Sequence, residues 1–93
     1  MTETLALQIK DAPLRLIAAR IRRARRSANL TLDSLAETAG TSRHHLIRLE
    51  KGNHRPRVEM LSRIAEATGR PVDYFLVEEA GEPNPFPADR QAA

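Results

Sequence analysis

The apolar positions of this chain recur at intervals of three and four residues, which is the spacing of amphipathic helices. Each new run of this pattern begins after a proline, a glycine or a hydroxyl residue, which are the usual helix boundary signals. The pattern predicts five helices, over about 13–28, 32–39, 43–51, 58–68 and 71–77. Because only two to six residues connect them, we predict a compact all-α domain of five helices.

The stretch from Leu32 to Gly52 carries the most specific signal. Two short amphipathic segments flank the break at residues 39–42, where Gly40 permits the left-handed backbone that ends a helix. Ser42 stands one residue before the next segment, where its hydroxyl can accept from free backbone amides. Two helices joined by a short glycine-containing turn make a helix-turn-helix. We therefore expect this motif at the second and third helices, with the polar side of the third available to DNA.

The two ends of the chain differ from the predicted domain, which spans residues 13–78. Residues 1–12 form an N-terminal arm with three alternatives: the alternation of Leu5, Leu7 and Ile9 suits a strand, the spacing of Leu5 and Ile9 suits a helical extension, and the third alternative is disorder. Residues 79–93 carry three prolines around Phe86 and no periodicity. They are predicted to be a proline-rich, acidic and disordered tail.

Charge is segregated along the chain. Between Lys10 and Arg57 there are 12 basic and 4 acidic side chains, whereas from Val58 onward there are 3 basic and 7 acidic ones. A basic half favours a polyanionic partner. Part of this charge runs around the outside of the first helix, where we expect solvated side chains of which one or two reach flanking phosphate: Arg20, Arg22, Arg23 and Arg26.

Several functional classes have little support. The chain has no cysteine, so disulfides and thiolate metal sites are excluded. The three histidines do not make a ligand set, because adjacent residues on a helix diverge by about 100°. No nucleophile–base pair or glycine-rich phosphate loop is present, and no apolar run approaches the roughly 20 residues that cross a bilayer. We expect no enzymatic activity, no cofactor, no metal site and no membrane partner.

These features resemble those of the phage repressor and Cro-like helix-turn-helix regulators, often called the Xre type. The resemblance covers about Ile21 to Leu76 and rests on Ile21-Arg22-x-x-Arg25, Leu35-Ala36, Gly40, Leu46, Leu49-Glu50 with Gly52, Pro56, Ile64-Ala65, Gly69 and Asp73-x-x-Leu76. It implies a lambda-repressor-like fold and a transcriptional regulator that binds double-stranded DNA sequence-specifically. A protein of this type is expected to be bacterial or phage-encoded, cytoplasmic, and associated with the nucleoid when bound to DNA.

The resemblance also assigns roles to particular side chains. In this family the second helix of the motif enters the major groove with its first turn. Base reading is therefore expected from Arg43, His44, Ile47 and Arg48. Contacts with the DNA backbone are expected from Thr31, Ser42, His45, Asn53, Arg55 and Arg57. An ion pair between Arg25 and Glu50 is implied as well, and our hypothesis is that it is structural and fixes the angle of the third helix.

Energetics favour a dimer, since one recognition helix offers few base contacts against a genome of competing sites. We expect a homodimeric repressor on a palindromic operator, with at least one G·C pair in each half-site. Its contact surface is expected at Leu16, at segment 4–9 or at the fifth helix. One alternative is an antitoxin-like autorepressor that also neutralises a protein partner through its tail or N-terminal arm. Another is a protein adaptor that does not bind DNA.

Overall fold

The computed structural model describes residues 2–78, and within them the chain forms α-helices and no strand. The helices are α1 Thr2–Asp11, α2 Leu14–Ser27, α3 Leu32–Ala39, α4 Arg43–Glu50, α5 Val58–Thr68 and α6 Asp73–Leu76. The predicted all-α fold class is confirmed, and the five predicted helices correspond to α2–α6. The predicted tail, residues 79–93, lies outside the described residues.

Local signals set the helix boundaries of the helix-turn-helix, which consists of α3, the turn and α4. Thr31 and Ser42 cap α3 and α4: each hydroxyl oxygen accepts, over 3.0 Å, from the backbone N–H three residues later. Gly40 has a φ of 71°, a left-handed conformation in which most side chains are strained. This conformation brings the N–H of Thr41 within 2.8 Å of the Ala36 carbonyl, which also accepts from the N–H of Gly40. The predicted turn is confirmed.

The core lies where α2, α3, α4 and α5 meet, and α6 closes it against α2. Its largest fully buried side chains come from all five of these helices: Ile17, Ile21, Leu35, Leu46, Leu49, Leu61, Ile64, Tyr74 and Phe75. Burying an aliphatic or aromatic side chain of this size contributes about 1.5–3 kcal/mol to stability. The apolar residues that recur every three or four positions therefore determine which side of each helix packs into the core.

Leu16 corrects one expectation about the dimer surface. It is only 9% exposed, so it is not an open contact residue. It stands one turn before Arg20 on α2, on the side of the helix that α6 covers. The core-facing stripe of α2 is therefore wider than the periodicity of its isoleucines and alanines predicts.

The N-terminal segment is helical, which is one of the three alternatives left open for it. Ile9 and Ala12 are buried in the core, Leu5 packs partly against it, and Leu7 is 59% exposed. The strand alternative is wrong, because it would place Leu5, Leu7 and Ile9 on one face. A helical spacing of four residues instead puts Leu5 and Ile9 on the same side, where α1 packs against α5.

Arg55 ties the end of α1 to the loop that precedes α5. Its Nη1 donates to the carbonyl oxygens of Ile9, at 2.6 Å, and Ala12, at 2.7 Å. The last carbonyls of a helix have no intrahelical donor, and the helix dipole favours a cation there. The Nη1 atom of Arg55 is thus engaged within the protein, a role that the sequence did not reveal, while its expected contact with a DNA phosphate stays a prediction.

Arg20 likewise donates to backbone carbonyls at the C-terminal end of α6. Its Nη1 and Nη2 donate to the carbonyl oxygens of Tyr74 and Glu78, both at 2.7 Å. Its guanidinium also lies 4.7 Å from the centre of the Tyr74 ring. The expectation of a solvated Arg20 is wrong, because the C-terminal carbonyls of a short helix offer it acceptors that the sequence pattern does not reveal.

We expect Arg55→Ala to lower the free energy of unfolding by about 1.5–3 kcal/mol, since hydrogen bonds that involve a charged group contribute about that much. The loss should appear in the melting temperature and as faster amide exchange in α1. Arg57→Ala is the matched control, because Arg57 is exposed and makes no side-chain capping bond at the start of α5. Equal destabilisation by the two substitutions would contradict the role given to Arg55.

Candidate nucleic-acid interface

The exposed side of α4 carries the side chains expected to read bases. Arg43, His44 and Arg48 are exposed and Ile47 is half-buried, while two leucines hold the opposite side of the helix in the core. The helix has 8 residues and is therefore about 12 Å long. With its side chains an α-helix is about 10–12 Å across, so α4 fits the major groove of B-DNA, which is about 12 Å wide and 8.5 Å deep.

Arg43, the first residue of α4, is held only weakly in the free protein. Its Nε lies 3.6 Å from Oδ1 of Asp33 on α3, and the two side chains are 61% and 80% exposed. Exposed pairs of this kind contribute about 0–1 kcal/mol. Arg43 can therefore exchange the Asp33 carboxylate for a base edge at little cost.

A second group of polar side chains lies beside α4, where the loop leads into α5. The rings of His45 and His54 meet edge to face with their centres 5.1 Å apart. Together with Arg57 and Arg63 they line a small cavity of about 190 Å³. The structure thus brings two of the predicted backbone contacts, His45 and Arg57, to one place. Asn53 is exposed on the same loop.

Arg63 was missed by the sequence analysis. It stands on the exposed side of α5, and its Nη1 is 3.6 Å from the position that a Cβ on Gly40 would occupy. It therefore reaches from α5 over the turn of the helix-turn-helix. The periodicity of α5 marks Arg63 as exposed, but no spacing in the sequence connects it with a turn more than 20 residues earlier.

His45 has a pKa below its usual value of 6.5. Partial burial is the largest cause, and the neighbouring His54, Arg48 and His44 lower the pKa further because they disfavour a second positive charge. A phosphate at this position would have the opposite effect, since it favours the charged imidazolium. The lowered pKa therefore describes a partly buried imidazole whose charged form is disfavoured in the free protein, in a cavity that Glu59 also lines.

The hydroxyls of Thr31 and Ser42 are engaged as helix caps. Thr31 also donates to the Oγ of Ser34 at 3.0 Å, so its oxygen and its hydrogen both have partners within α3. The first turn of α3 contains Asp33, which is unfavourable for an approaching phosphate. These observations make α4 and the loop after it the more accessible cationic surface of the motif.

The ion pair between Arg25 and Glu50 is present and is bidentate. Nε and Nη2 of Arg25 lie 2.7 and 3.1 Å from the two carboxylate oxygens, and Nη1 donates to the Leu30 carbonyl at 3.0 Å. The two side chains are only 13% and 9% exposed. One guanidinium thus joins α2, the turn before α3 and the last residue of α4. That this pair fixes the angle of α4 remains a hypothesis.

Two other kinds of site are absent from the described part of the chain. No group of three or more His, Asp or Glu side chains within it lies close enough together to hold a metal ion. Nor does any helix there have the length and apolar character needed to span a membrane.

Comparisons with known proteins agree on the family. Residues 21–75 match the helix-turn-helix family HTH_3. An HTH-type transcriptional regulator from Methanothermobacter thermautotrophicus is 41% identical over 63 residues, which cover 66% of this chain and 91% of that protein.

Two solved structures share the fold. The clp gene regulator ClgR from Corynebacterium glutamicum superposes with a TM-score of 0.67 at 29% identity, covering 85% of this chain and 82% of that one. An HTH_3 family transcriptional regulator from Vibrio cholerae gives a TM-score of 0.66 at 24% identity and covers 80% of this chain. The present chain spans 40% of the Vibrio cholerae protein.

We expect Glu50→Ala to lower the free energy of unfolding by about 3–5 kcal/mol, because it leaves the Arg25 guanidinium buried without its counter-charge. Glu50→Gln is the matched variant: it keeps the shape of the side chain and one acceptor but loses the charge, so its loss should be smaller. Thermal melts of the three proteins decide this. A Glu50→Ala protein that melts within a degree or two of the wild type would exclude a structural role for the pair.

The lowered pKa of His45 predicts a pH dependence of stability. The folded state disfavours the imidazolium form of His45. The contribution of the neutral ring to folding stability is therefore fully present above pH 6.5. It is lost as the pH falls through 6.5 towards the lowered pKa. In His45→Gln this titration is absent. The melting temperature of the variant, relative to that of the wild type, should therefore rise as the pH is lowered from about 8 to about 5. A difference in melting temperature that stays constant over this range would contradict the assignment.

Proposed function

We propose that this chain, which belongs to the HTH_3 helix-turn-helix family, reads DNA with α4. It is a DNA-binding transcriptional regulator and not an enzyme. The proposal adds that α4 enters the major groove and that the protein is a repressor acting as a homodimer on a palindromic operator in the cytoplasm. The observation that supports this proposal is the exposed side of α4, which presents hydrogen-bond donors. The opposite side of the helix is held in the core by Leu46 and Leu49.

Base reading falls to the first turns of α4. Arg43 and Arg48 carry guanidinium forks that match the O6 and N7 acceptors of guanine, a contact that contributes about 1–3 kcal/mol of discrimination. The weak pairing of Arg43 with Asp33 supports this role, because little is lost when the side chain leaves. His44 adds a donor, and Ile47 offers the thymine methyl an apolar surface.

Backbone contacts fall to the loop after α4 and to the ends of the two helices. Arg57 and Asn53 are exposed on the loop, and His45 lies beside Arg57. A phosphate between His45 and Arg57 would favour the imidazolium of His45, which burial and then the neighbouring His54, Arg48 and His44 disfavour in the free protein. Thr31 and Ser42 contribute through the helix N-termini that they cap, where free amide groups favour an anion. Such contacts set the register of the protein on DNA and carry no sequence information.

Two copies are needed because α4 alone spans few base pairs. Half-sites about one helical turn apart would place one α4 in each of two successive major grooves and give a palindromic operator. The exposed Leu7 of α1 and Val77 after α6 are apolar side chains available for contact between copies. The antitoxin-like alternative depends in part on residues 79–93, which lie outside the described residues.

Selection of bound sequences from a random DNA pool at near-physiological salt tests this proposal. We expect a palindromic motif with at least one G·C pair in each half-site. Arg43→Ala and Arg48→Ala should each relax the preference at particular base pairs. Arg57→Ala should weaken all sequences alike and lower the slope of log K against log salt by about 0.9, the value of one phosphate contact.

Three results would contradict the proposal. If no motif is recovered, sequence-specific recognition fails. Equal effects of Arg43→Ala, Arg48→Ala and Arg57→Ala would mean that α4 does not present the reading surface. If the complex with the selected operator contains one copy of the chain by analytical ultracentrifugation, the homodimer and its palindrome fail.

A further inference from the structure

A basic groove lies outside the surface described above, between α2 and the C-terminal end of α4. Its volume is about 510 Å³. Arg15, Arg22 and Arg26 line it along α2, and Lys51 lines it where α4 ends. We call these four residues and the space between them the α2 groove. All four side chains are exposed.

The spacing of the arginines makes the α2 groove a continuous cationic strip. Residues 15, 22 and 26 are seven and four positions apart, so they lie on one side of the helix. Small side chains, Ala18 and Ala19, form the floor between them and leave the guanidinium groups room to converge. Like charges on one side of a helix repel one another, and an anion in the groove reduces that repulsion.

The carboxylate that borders the α2 groove does not neutralise it. Glu50 belongs to the lining, but both of its oxygens are engaged by Arg25 at 2.7 and 3.1 Å. Arg25 and Glu50 cancel each other at the edge of the groove. The field inside is therefore set by the arginines and by Lys51.

The position of Lys51 relates the α2 groove to DNA. Lys51 directly follows α4, whose 8 residues span about 12 Å from the base-reading end. The major groove is only about 8.5 Å deep. A helix that inserts its first turn therefore brings its last residue to the level of the phosphates at the rim. The α2 groove continues outward from that point.

We propose that the α2 groove binds phosphates of the same duplex that flank the bases read by α4. This inference rests on the proposed function. Guanidinium forks match phosphate oxygens bidentately, and a floor of two alanines lacks the deep apolar pocket in which a peptide partner would anchor an aromatic side chain. Continuity with the end of α4 favours DNA over an acidic protein as the occupant.

The salt dependence of DNA binding tests this inference. The probe is a 30-base-pair duplex of mixed sequence, because phosphate contacts do not depend on base identity. The slope of log K against log salt is measured for the wild type and for the double variant Arg22→Gln/Arg26→Gln. Each lost contact should reduce the slope by about 0.9, so we expect a reduction of about 1.8. Preference among selected operator sequences should stay unchanged.

Arg70→Gln is the matched control. Arg70 donates to the Ser27 hydroxyl at 3.0 Å, and Ser27 points about 100° away from Arg26 around α2. The substitution removes a positive charge on another side of α2 and retains a donor. Its slope should equal that of the wild type. Circular dichroism melts of each variant show that the proteins compared are folded.

The possible outcomes separate this inference from the proposed function. If Arg57→Gln lowers the slope but the double variant does not, the α2 groove does not bind DNA and the proposed function stands. If the double variant instead loses binding to polyglutamate while its DNA slope is unchanged, the groove serves an acidic protein and the inference is overturned. If the wild type itself fails to bind the duplex, both fail. A lower slope in both the double variant and Arg70→Gln would indicate a general charge effect and would also overturn it.

Discussion

The bidentate ion pair between Arg25 and Glu50 is the interaction on which, by our hypothesis, the geometry of the motif depends. The guanidinium is bonded to both oxygens of Glu50 and to the carbonyl of Leu30, at distances between 2.7 and 3.1 Å. It therefore couples the end of α4, the turn before α3 and the middle of α2 at one point. Apolar packing by leucines is tolerant of small rotations, whereas a bidentate ion pair has a narrow geometry. We therefore expect the pair to supply a directional constraint on α4 that apolar packing alone does not supply.

The arginines of this chain fall into two groups, according to whether their guanidinium groups donate hydrogen bonds within the protein or are exposed to solvent. Arg20 and Arg55 donate to carbonyl oxygens at the ends of α6 and α1, and Arg25 donates to a carboxylate. The hydrogen bonds of these side chains join separate elements of the fold. Arg43, Arg48 and Arg57, with the arginines of the α2 groove, are exposed. The net charge of +3 says little about this division, because the cations available to a polyanion are those that the fold leaves outside its own hydrogen-bond network.

The sequence predicted the parts of the fold that depend on local chemistry. Thr31, Gly40 and Ser42 mark boundaries because caps and left-handed turns need particular side chains within three or four residues. The Arg25–Glu50 pair was accessible only through the family resemblance, since its members are 25 residues apart. The internal contacts of Arg20 and Arg55 were missed for a related reason: their acceptors are backbone carbonyls 54 and 46 residues away, and every residue carries a carbonyl. The conformation of α1 also stayed open, because three apolar residues fit two periodicities.

The loop between α4 and α5 shows how a helix remote from the bases can affect DNA binding. Arg55 points inward to the carbonyls of α1, and its neighbour Pro56 is buried, so the middle of the loop is pinned to the folded domain. Asn53 and Arg57, on either side of these anchors, are exposed. Ordering a loop on binding costs conformational entropy, and a loop already ordered on folding avoids much of that cost. Release of α1 would therefore loosen the loop that carries Arg57, although α1 itself supplies no contact to the base-reading surface. If Arg57 binds a phosphate as proposed, the N-terminal helix preorganises that contact, and Arg55 supports it through the carbonyls of α1.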